Sequence, residues 1–372
     1  MRGGIVGRGA RAVVVVAAIV AAIGAASCGG DGAKRTRDAG EGDARSFMMG
    51  ISTLPRELNA KSYDEAFKLA GDTGEMVLIQ RTVPWAEFMP GADVNQATAD
   101  TTAAEKQAIE AGKLKLFFAI DPTDSSTGRD RLAGLPPESA GKTFADADIR
   151  AAFVSYAKYV ALNYKPAYMA LGVEINLYLD KNPDAVGDFA SLYNEAYDRV
   201  KEISPDTQVT VTFQYEDLQA LLPTEDKHQT EWPLIKPFAP KLDVMAISTY
   251  PSFVYSSAAD IPANYYSQLT AFTDRPIVIA EMGYSSAAGA QGINDGSEPE
   301  QDAFVRRALV EAQTLHMPFI IWFAGWDPAF ARNTSLGVFQ HIGLRRTDDT
   351  EKPAWQTWVE AARRPYVGGS EK

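Results

Sequence analysis

The chain has 372 residues, of which 46% are hydrophobic and 23% are charged, so it is long enough and apolar enough for one large globular domain. Its 36 basic and 48 acidic residues give a formal net charge of −12, and no basic stripe follows the N-terminal region. Nucleic-acid binders need clustered cations, so this charge argues against a nucleic-acid partner. A single cysteine excludes a disulfide framework and a thiolate zinc site.

The first 27 residues have the pattern of an export signal. Arg2, Arg8 and Arg11 precede the apolar run AVVVVAAIVAAIGAAS, whose last small residues stand directly before the only cysteine, Cys28. The sequence A-A-S-C-G-G resembles a bacterial lipoprotein processing site, although Ala25 stands where leucine is usual. We therefore predict lipidation of Cys28, attachment to a membrane through that lipid, and a location in the bacterial cell envelope outside the cytoplasm.

Two other interpretations of this N-terminal run stay open. It is also compatible with an uncleaved membrane anchor, or with an ordinary signal peptide in which Cys28 has no role. The apolar stretch is shorter than the roughly 20 residues of a spanning helix, which favours the lipoprotein. Residues 28–45 contain glycine and charge with almost nothing apolar, so they are predicted to form a flexible tether before one folded domain over 46–366.

In the predicted domain, short apolar runs alternate with amphipathic stretches. Apolar residues recur at three- and four-residue spacings in stretches such as DADIRAAFVSYAKYVALNY and EPEQDAFVRRALVEAQTL, which predicts helices. Several of the short runs are apolar on both faces, which is typical of parallel strands covered by helices. The alternation predicts an α/β fold, a (β/α)8 TIM barrel. The eight candidate strands are FMMGIS, MVLIQR, KLFFAID, YMALGVEI, QVTVTFQ, DVMAIST, PIVIAEM and FIIWFAG.

Polar and aromatic residues stand where several of these strands end. In a (β/α)8 barrel the carboxyl ends of the strands build the active face, so these residues are candidates for substrate binding. They are Arg81 and Trp85 after the second strand, Asp121 after the third, and Gln214 and Tyr215 after the fifth. For Trp85 and Tyr215, sugar stacking and core packing stay equally open, because aromatic rings serve both purposes.

Two glutamates each stand at the polar end of an apolar run. Glu174 lies in AYMALGVEINLYL, the fourth strand region, and Glu281 lies in RPIVIAEMGYSS, the seventh. In one parallel barrel their carboxylates face each other across the mouth, as carboxylate-based glycoside hydrolysis requires. A glutamate at a strand end also serves as the structural partner of an arginine, and that interpretation stays open for both.

Several segments resemble the superfamily of retaining glycoside hydrolases that carry the acid/base on strand four and the nucleophile on strand seven. PIVIAEMGYSS is similar to its nucleophile strand, which implies Glu281 as nucleophile and Glu174 as acid/base. DVMAISTYPSF is similar to its sixth strand, whose tyrosine contacts the nucleophile, here Tyr250. IIWFAGWDP resembles its eighth strand, which implies a sugar-stacking role for Trp322 or Trp326. GLRRTDDTEKPAWQTW resembles the segment that follows, and the endo-galactanase and mannanase branches are the most similar.

One position departs from the superfamily pattern. An asparagine usually stands directly before the acid/base and holds the 2-hydroxyl of the sugar, but this chain has Val173. Asn176 is two residues beyond Glu174 and lies on the same face of a continuing strand by alternation. We therefore expect Asn176 as a substitute, though not an equivalent one.

The resemblance implies a retaining glycoside hydrolase that cleaves a β-linked poly- or oligosaccharide, with carbohydrate as its partner and no cofactor. The alternative is a weakly active or inactive carbohydrate-binding barrel, which Val173 favours and the retention of both glutamates disfavours. A serine hydrolase has little support, because no G-x-S-x-G elbow is present. No metal site is expected either, because the only histidines, His228, His316 and His341, are not in metal-ligand spacing.

Overall fold

The computed structural model describes residues 44–222, 229–289, 293–332 and 334–368. The predicted signal peptide, Cys28 and nearly all of the tether lie outside the described residues, as does His228. The N-terminal assignments therefore stay predictions. Within the described ranges, none of the helices combines the length and the apolar character needed to cross a membrane.

Nine parallel strands in the described residues form one sheet that closes into a barrel, in the order β5-β4-β3-β2-β1-β9-β8-β7-β6. Only Val211 separates β5 from β6, so these strands are two halves of one, the first paired with β4 and the second with β7. The predicted (β/α)8 barrel is thus confirmed. The strands are β1 (Met48–Ser52), β2 (Met76–Thr82), β3 (Lys115–Asp121), β4 (Tyr168–Ala170), β5 (Gln208–Thr210), β6 (Thr212–Gln214), β7 (Met245–Thr249), β8 (Ile277–Met282) and β9 (Phe319–Trp322).

Helices surround the barrel, and both periodic stretches quoted above contain one, over Ala147–Tyr164 and Glu298–Thr314. Some helices begin at a capping side chain: the Asn59 side chain accepts from the Ser62 amide (2.8 Å), and the Asn95 side chain accepts from the Thr98 amide (2.8 Å). Such caps satisfy amides that have no partner within the helix. The helices of the described residues are α1 (Ala60–Thr73), α2 (Trp85–Phe88), α3 (Gln96–Gly112), α4 (Ala147–Tyr164), α5 (Ile175–Lys181), α6 (Val186–Ile203), α7 (Tyr215–Leu218), α8 (Glu298–Thr314) and α9 (Pro353–Arg363).

The strand side chains alternate between two apolar cores. On β9, Phe319 and Ile321 belong to the core inside the barrel, whereas Ile320 and Trp322 belong to the larger core between the strands and the helices. Successive side chains of a strand point to opposite faces, so a strand buried on both sides is apolar at nearly every position. This arrangement explains the uninterrupted apolar runs of the sequence.

The barrel wall after β7 is covered by short 3₁₀ turns and by tyrosines instead of a long helix. The Tyr215 ring lies 5.2 Å from the Tyr265 ring and 5.7 Å from the Tyr266 ring, measured between centroids. Its hydroxyl donates to the Tyr265 carbonyl, and the residue is fully buried. The structure therefore places Tyr215 in the outer core, where packing and not sugar stacking explains it. The 3₁₀ turns are Pro251–Phe253, Ala258–Asp260 and Ser267–Ala271.

Candidate functional site

Glu281 lies near the carboxyl end of β8, in register with Ser248 of β7. Its side chain is buried, with 3% of the residue exposed. Tyr250, the residue directly after β7, donates its hydroxyl to Oε1 of Glu281. A buried carboxylate requires such a donor, so the structure joins the two residues that the sequence resemblance placed together.

Glu174 lies on a turn at the same end of the barrel. Strand β4 ends at Ala170, and Glu174 has left-handed backbone angles (φ 47°, ψ 45°) immediately before α5. Its amide donates to Oγ1 of Thr212 on β6 at 2.8 Å. A left-handed residue other than glycine costs about 1–3 kcal/mol and persists only where its surroundings hold it, which here include this hydrogen bond. The carboxyl group of Glu174 is thus fixed at the mouth, and the residue is 1% exposed.

Arg129, in the segment between β3 and α4, links Glu174 to Asp121. Its Nη1 donates to Oδ1 of Asp121 at 2.6 Å and to Oγ1 of Thr123 at 2.8 Å, and its Nε donates to Oε2 of Glu174 at 3.1 Å. All of these side chains are shielded from solvent, which strengthens the charge interactions. The predicted site residue Asp121 therefore lies at the mouth as the anchor of an arginine.

Burial and mutual repulsion determine the charges of the two glutamates. Burial raises the pKa of Glu174, and the positive charge of Arg129 acts against that rise. Burial and then the charge of Glu174 raise the pKa of Glu281 well above its ordinary value, which the Tyr250 hydrogen bond and Arg129 offset only in part. The two carboxyl groups therefore titrate as a pair that holds its last proton more tightly than an isolated glutamate does.

We expect Glu281→Gln to stabilise the protein at slightly alkaline pH. The pKa of Glu281 in the folded state lies above the ordinary value of 4.5, so between the two values the folded state binds more protons than the unfolded state. The stability of the parent must then fall as pH rises through that window, and neutral glutamine does not share this loss. Thermal unfolding across pH should show the variant melting above the parent in weak alkali, with the gap closing in mild acid. A parent that melts above the variant in weak alkali would contradict this charge assignment.

Asn176 and Gln214 form a structural network beside the mouth. Asn176 lies in α5 and not on a continuing strand, so strand alternation does not place it beside Glu174. Its Nδ2 donates to the Gln214 carbonyl (3.1 Å) and to Asp217 (2.7 Å), while its Oδ1 accepts from the Gln214 amide (2.8 Å). The Gln214 side chain donates to Glu216 and accepts from the Asp217 amide, both at 2.6 Å. Both amide side chains are thus occupied within the protein.

The structure does not bring Trp85 or Trp322 to the mouth. The Trp85 indole donates to the Ala133 carbonyl at 2.6 Å, and the Trp322 indole donates to the Ile342 carbonyl at 2.8 Å. Both rings are almost fully buried in the core between the strands and the helices. Like Tyr215, they are explained by packing outside the barrel.

Arg81 and Trp326 are also held away from the two glutamates. Arg81 pairs with Glu105 of α3, and its Nη1 lies 3.3 Å from the Tyr164 hydroxyl, so it faces the helices. Trp326 lies just beyond β9 and donates its indole N–H to Asp349 at 2.6 Å. The exposed fraction of Trp326 is 7%, so little of its ring is available to a ligand.

Two residues that shape the site were not selected from the sequence. Glu216 is fully buried and accepts from the Tyr250 amide (3.1 Å) and the Tyr265 hydroxyl (2.8 Å), so it fixes the backbone that carries the Tyr250 ring. Glu216 follows Gln214 by two residues, so the strand-end position that identified Gln214 as a candidate could also have identified Glu216. Arg129 lies in the polar segment TDSSTGRDR, where no periodicity signals a role.

An apolar cluster covers the Tyr250 side of the mouth. It brings together side chains from the segments after β6, β7 and β9 around the Tyr250 ring whose hydroxyl donates to Glu281. Apolar surroundings strengthen electrostatic interactions. Within the part of the chain that the structure describes, no group of three or more His, Cys, Asp or Glu side chains is arranged to hold a metal ion. The cluster consists of Leu222, Tyr250, Phe253, Phe323, Ala324, Phe339 and Ile342.

Comparison with solved structures finds the same fold at low sequence identity. A GH5_18 protein from Bifidobacterium longum subsp. infantis superposes with a TM-score of 0.65 at 18% identity, over 88% of this chain and 81% of that one. GH5_18 from Streptomyces cattleya in complex with GlcNAc gives 0.66 at 15% identity, over 86% and 80%. An exo-β-1,4-mannosidase from Opitutaceae bacterium strain TAV5 gives 0.62 at 16% identity, over 87% and 60%. No protein-family model and no curated protein matches the chain.

Proposed function

We propose that the chain is a retaining glycoside hydrolase that cleaves a β-linked oligo- or polysaccharide. One observation carries the proposal: two buried, electrostatically coupled glutamates lie at the carboxyl end of the barrel, and a tyrosine hydroxyl holds one of them. Carboxyl pairs carry out glycoside hydrolysis, and in a (β/α)8 barrel they lie at this end. The resemblance of the Glu281 and Tyr250 segments to retaining enzymes favours the retaining mechanism. The likeness to GH5_18 proteins and to an exo-β-1,4-mannosidase supports the same reaction class and favours a β-mannoside.

In the proposed reaction Glu281 is the nucleophile and Glu174 is the general acid/base. Glu281 attacks the anomeric carbon while Glu174 gives its proton to the departing oxygen, which leaves a glycosyl ester on Glu281. Glu174 then removes a proton from water, which attacks the same carbon and releases Glu281. Tyr250 holds Oε1 of Glu281, so it orients the attacking carboxylate.

A lipid-anchored location outside the cytoplasm is part of the proposal. Its support is the sequence around Cys28, with arginines before a short apolar run and small residues up to the cysteine. Lipidation would then place the barrel at the surface of a membrane, joined to it by residues 28–45.

A second candidate function is carbohydrate binding without turnover. Val173 stands where the resemblance calls for asparagine, and its side chain is buried in the core inside the barrel. Asn176 does not replace that amide, because its hydrogen bonds go to Gln214 and Asp217. The ion pair of Glu174 with Arg129 favours the same alternative.

The first test is turnover on a panel of β-linked manno-, galacto-, gluco- and xylo-oligosaccharides, with Glu281→Gln as the background control. We expect at least one sugar to be cleaved by the parent only, with the β anomer as the first product, because two displacements restore the configuration. Proton NMR of the anomeric signal, read before mutarotation, reports this directly. An α product formed first would refute the retaining assignment, and binding of a sugar without any product would establish the second candidate.

A further inference from the structure

The two glutamates of the site have different partners. Glu174 accepts from a guanidinium, at 3.1 Å from Nε of Arg129, whereas Glu281 accepts from the neutral hydroxyl of Tyr250. A cation in direct contact stabilises a carboxylate far more than it stabilises a carboxylic acid. A neutral hydroxyl donates to either form.

Arg129 itself is held firmly in this position. The residue has a left-handed backbone (φ 66°) and is 1% exposed. Its Nη1 donates to Asp121 at 2.6 Å and to Thr123 at 2.8 Å. These two bonds hold the guanidinium in place independently of its contact with Glu174. The neighbouring Lys181 donates to the Gly128 carbonyl, which fastens the same turn to α5.

We propose that Arg129, anchored by Asp121, is a positioning residue that keeps Glu174 ionised and leaves the shared proton of the pair on Glu281 when no ligand is bound. The inference deepens the proposed function, because it concerns the same two carboxyl groups. It does not require turnover to be true, since the order of protonation is a property of the free protein.

The other groups that face the pair agree with this order. Asp121 adds negative charge near both glutamates and so raises both pKa values, while Ser248 favours the ionised form of Glu174. Glu281 is the member whose pKa lies well above the ordinary value, because burial and the charge of Glu174 outweigh Tyr250 and Arg129. Of the groups that face the pair, Arg129 carries the positive charge, and it contacts Glu174.

This resting order is the reverse of the one that retaining hydrolysis needs. The reaction requires an ionised Glu281 and a protonated Glu174, so the proton must pass from Glu281 to Glu174 once the sugar is bound. That transfer becomes favourable when Arg129 releases Oε2 of Glu174. Nη2 of Arg129 is buried and has no hydrogen-bond partner among the described residues, so it can donate to a polar group of a ligand as the ion pair opens.

The test is a pH titration of glutamate side-chain carboxyl carbons by ¹³C NMR on the full chain, with Glu174→Gln and Glu281→Gln to identify the two signals. In the parent we expect Glu174 to titrate at lower pH than Glu281. In Arg129→Met the Glu174 midpoint should rise by roughly 1 to 3 pH units, the size of the effect of an adjacent opposite charge. Arg129→Lys, which keeps the charge but loses the planar fork, should lie between them.

Several outcomes decide the inference. Glu281 titrating below Glu174 in the parent overturns it, as do unchanged midpoints in a folded Arg129→Met. If Arg129→Met does not fold because Asp121 is left unpaired, the double variant Arg129→Met/Asp121→Asn removes both charges. Its Glu174 midpoint should be compared with that of Asp121→Asn alone and should lie above it, because the charge of Asp121, which itself raises the pKa, is absent from both. Turnover measured on the same samples separates the two proposals: a parent with the expected order but no activity on any sugar argues against the hydrolase and leaves the role of Arg129 intact.

Discussion

Glu281→Ala is expected to lower turnover by roughly 10⁴-fold or more, the scale on which enzymes lose activity when a nucleophilic group is removed. Alanine leaves the barrel closed but has no carboxylate to attack the anomeric carbon, so no glycosyl ester forms. Added azide should restore turnover of a β-glycoside with a good leaving group. Because azide then attacks in a single displacement, the product should be the α-glycosyl azide, which NMR identifies.

The reciprocal variant separates the roles of the two glutamates. Glu174→Ala keeps the nucleophile, so azide should intercept the glycosyl ester on Glu281 and give the β-glycosyl azide after two displacements. Glu105→Gln is the matched control, because it removes another buried carboxylate on the outside of the barrel. Its activity should stay close to that of the parent below its melting temperature. An α-azide from Glu174→Ala together with a β-azide from Glu281→Ala would mean that the roles are exchanged.

The barrel was predictable because its signal is spread over the whole chain. Eight apolar runs, each followed by helical periodicity or a turn, are compatible with few architectures, and they favour a barrel. In the structure, the pairing of β5 with β4 and of β6 with β7 closes that barrel. The resemblance implied the contact of Tyr250 with Glu281, and the structure contains it. The contact is possible because both residues lie at the carboxyl ends of adjacent strands.

The sequence could not locate the substrate-binding side chains as well. A strand that is apolar on both faces does not reveal which of its side chains face the barrel interior and which face the helices. On β2, Met76 and Leu78 face the barrel interior, and Val77 and Ile79 face the helices. Arg81 follows the second set by alternation and meets Glu105 of α3. On β9 the same alternation places Trp322 in the outer core. Only the tertiary packing shows which alternate side chains of each strand point into the barrel.

The segments after the strands escape prediction for another reason. Expecting Asn176 beside Glu174 assumed that the fourth strand continues, but it ends at Ala170 and α5 begins at Ile175. Arg129 reaches Glu174 from 45 residues away through a turn with a left-handed backbone. The conformation of such a turn depends on contacts distant in sequence, so local pattern carries almost no information about it.

Glu105→Ala is expected to lower the free energy of unfolding by about 3–5 kcal/mol, the usual cost of breaking a buried ion pair from one side. Glu105 is 2% exposed and pairs with Arg81, and it also accepts from the hydroxyls of Tyr63 and Tyr164 at 2.5 Å each. Burial acts to lower the pKa of Arg81, but Glu105 and the neighbouring tyrosine hydroxyls together outweigh it and the net shift is upward, so Arg81 stays charged. Alanine therefore leaves a buried cation without its counter-ion and two hydroxyls without their acceptor.

Urea unfolding of parent and variant measures this loss, and Glu110→Ala on the exposed face of the same helix is the control, with an expected change within about 0.5 kcal/mol. The double variant Arg81→Met/Glu105→Leu distinguishes the cost of the unpaired buried cation from the cost of the two lost tyrosine hydrogen bonds. If the unpaired buried charge of Arg81 causes most of the loss in stability, the double variant should be more stable than Glu105→Ala, because neither ion is then buried without a partner. A double variant as unstable as the single one would instead assign the loss to the two tyrosine hydrogen bonds, which neither replacement restores.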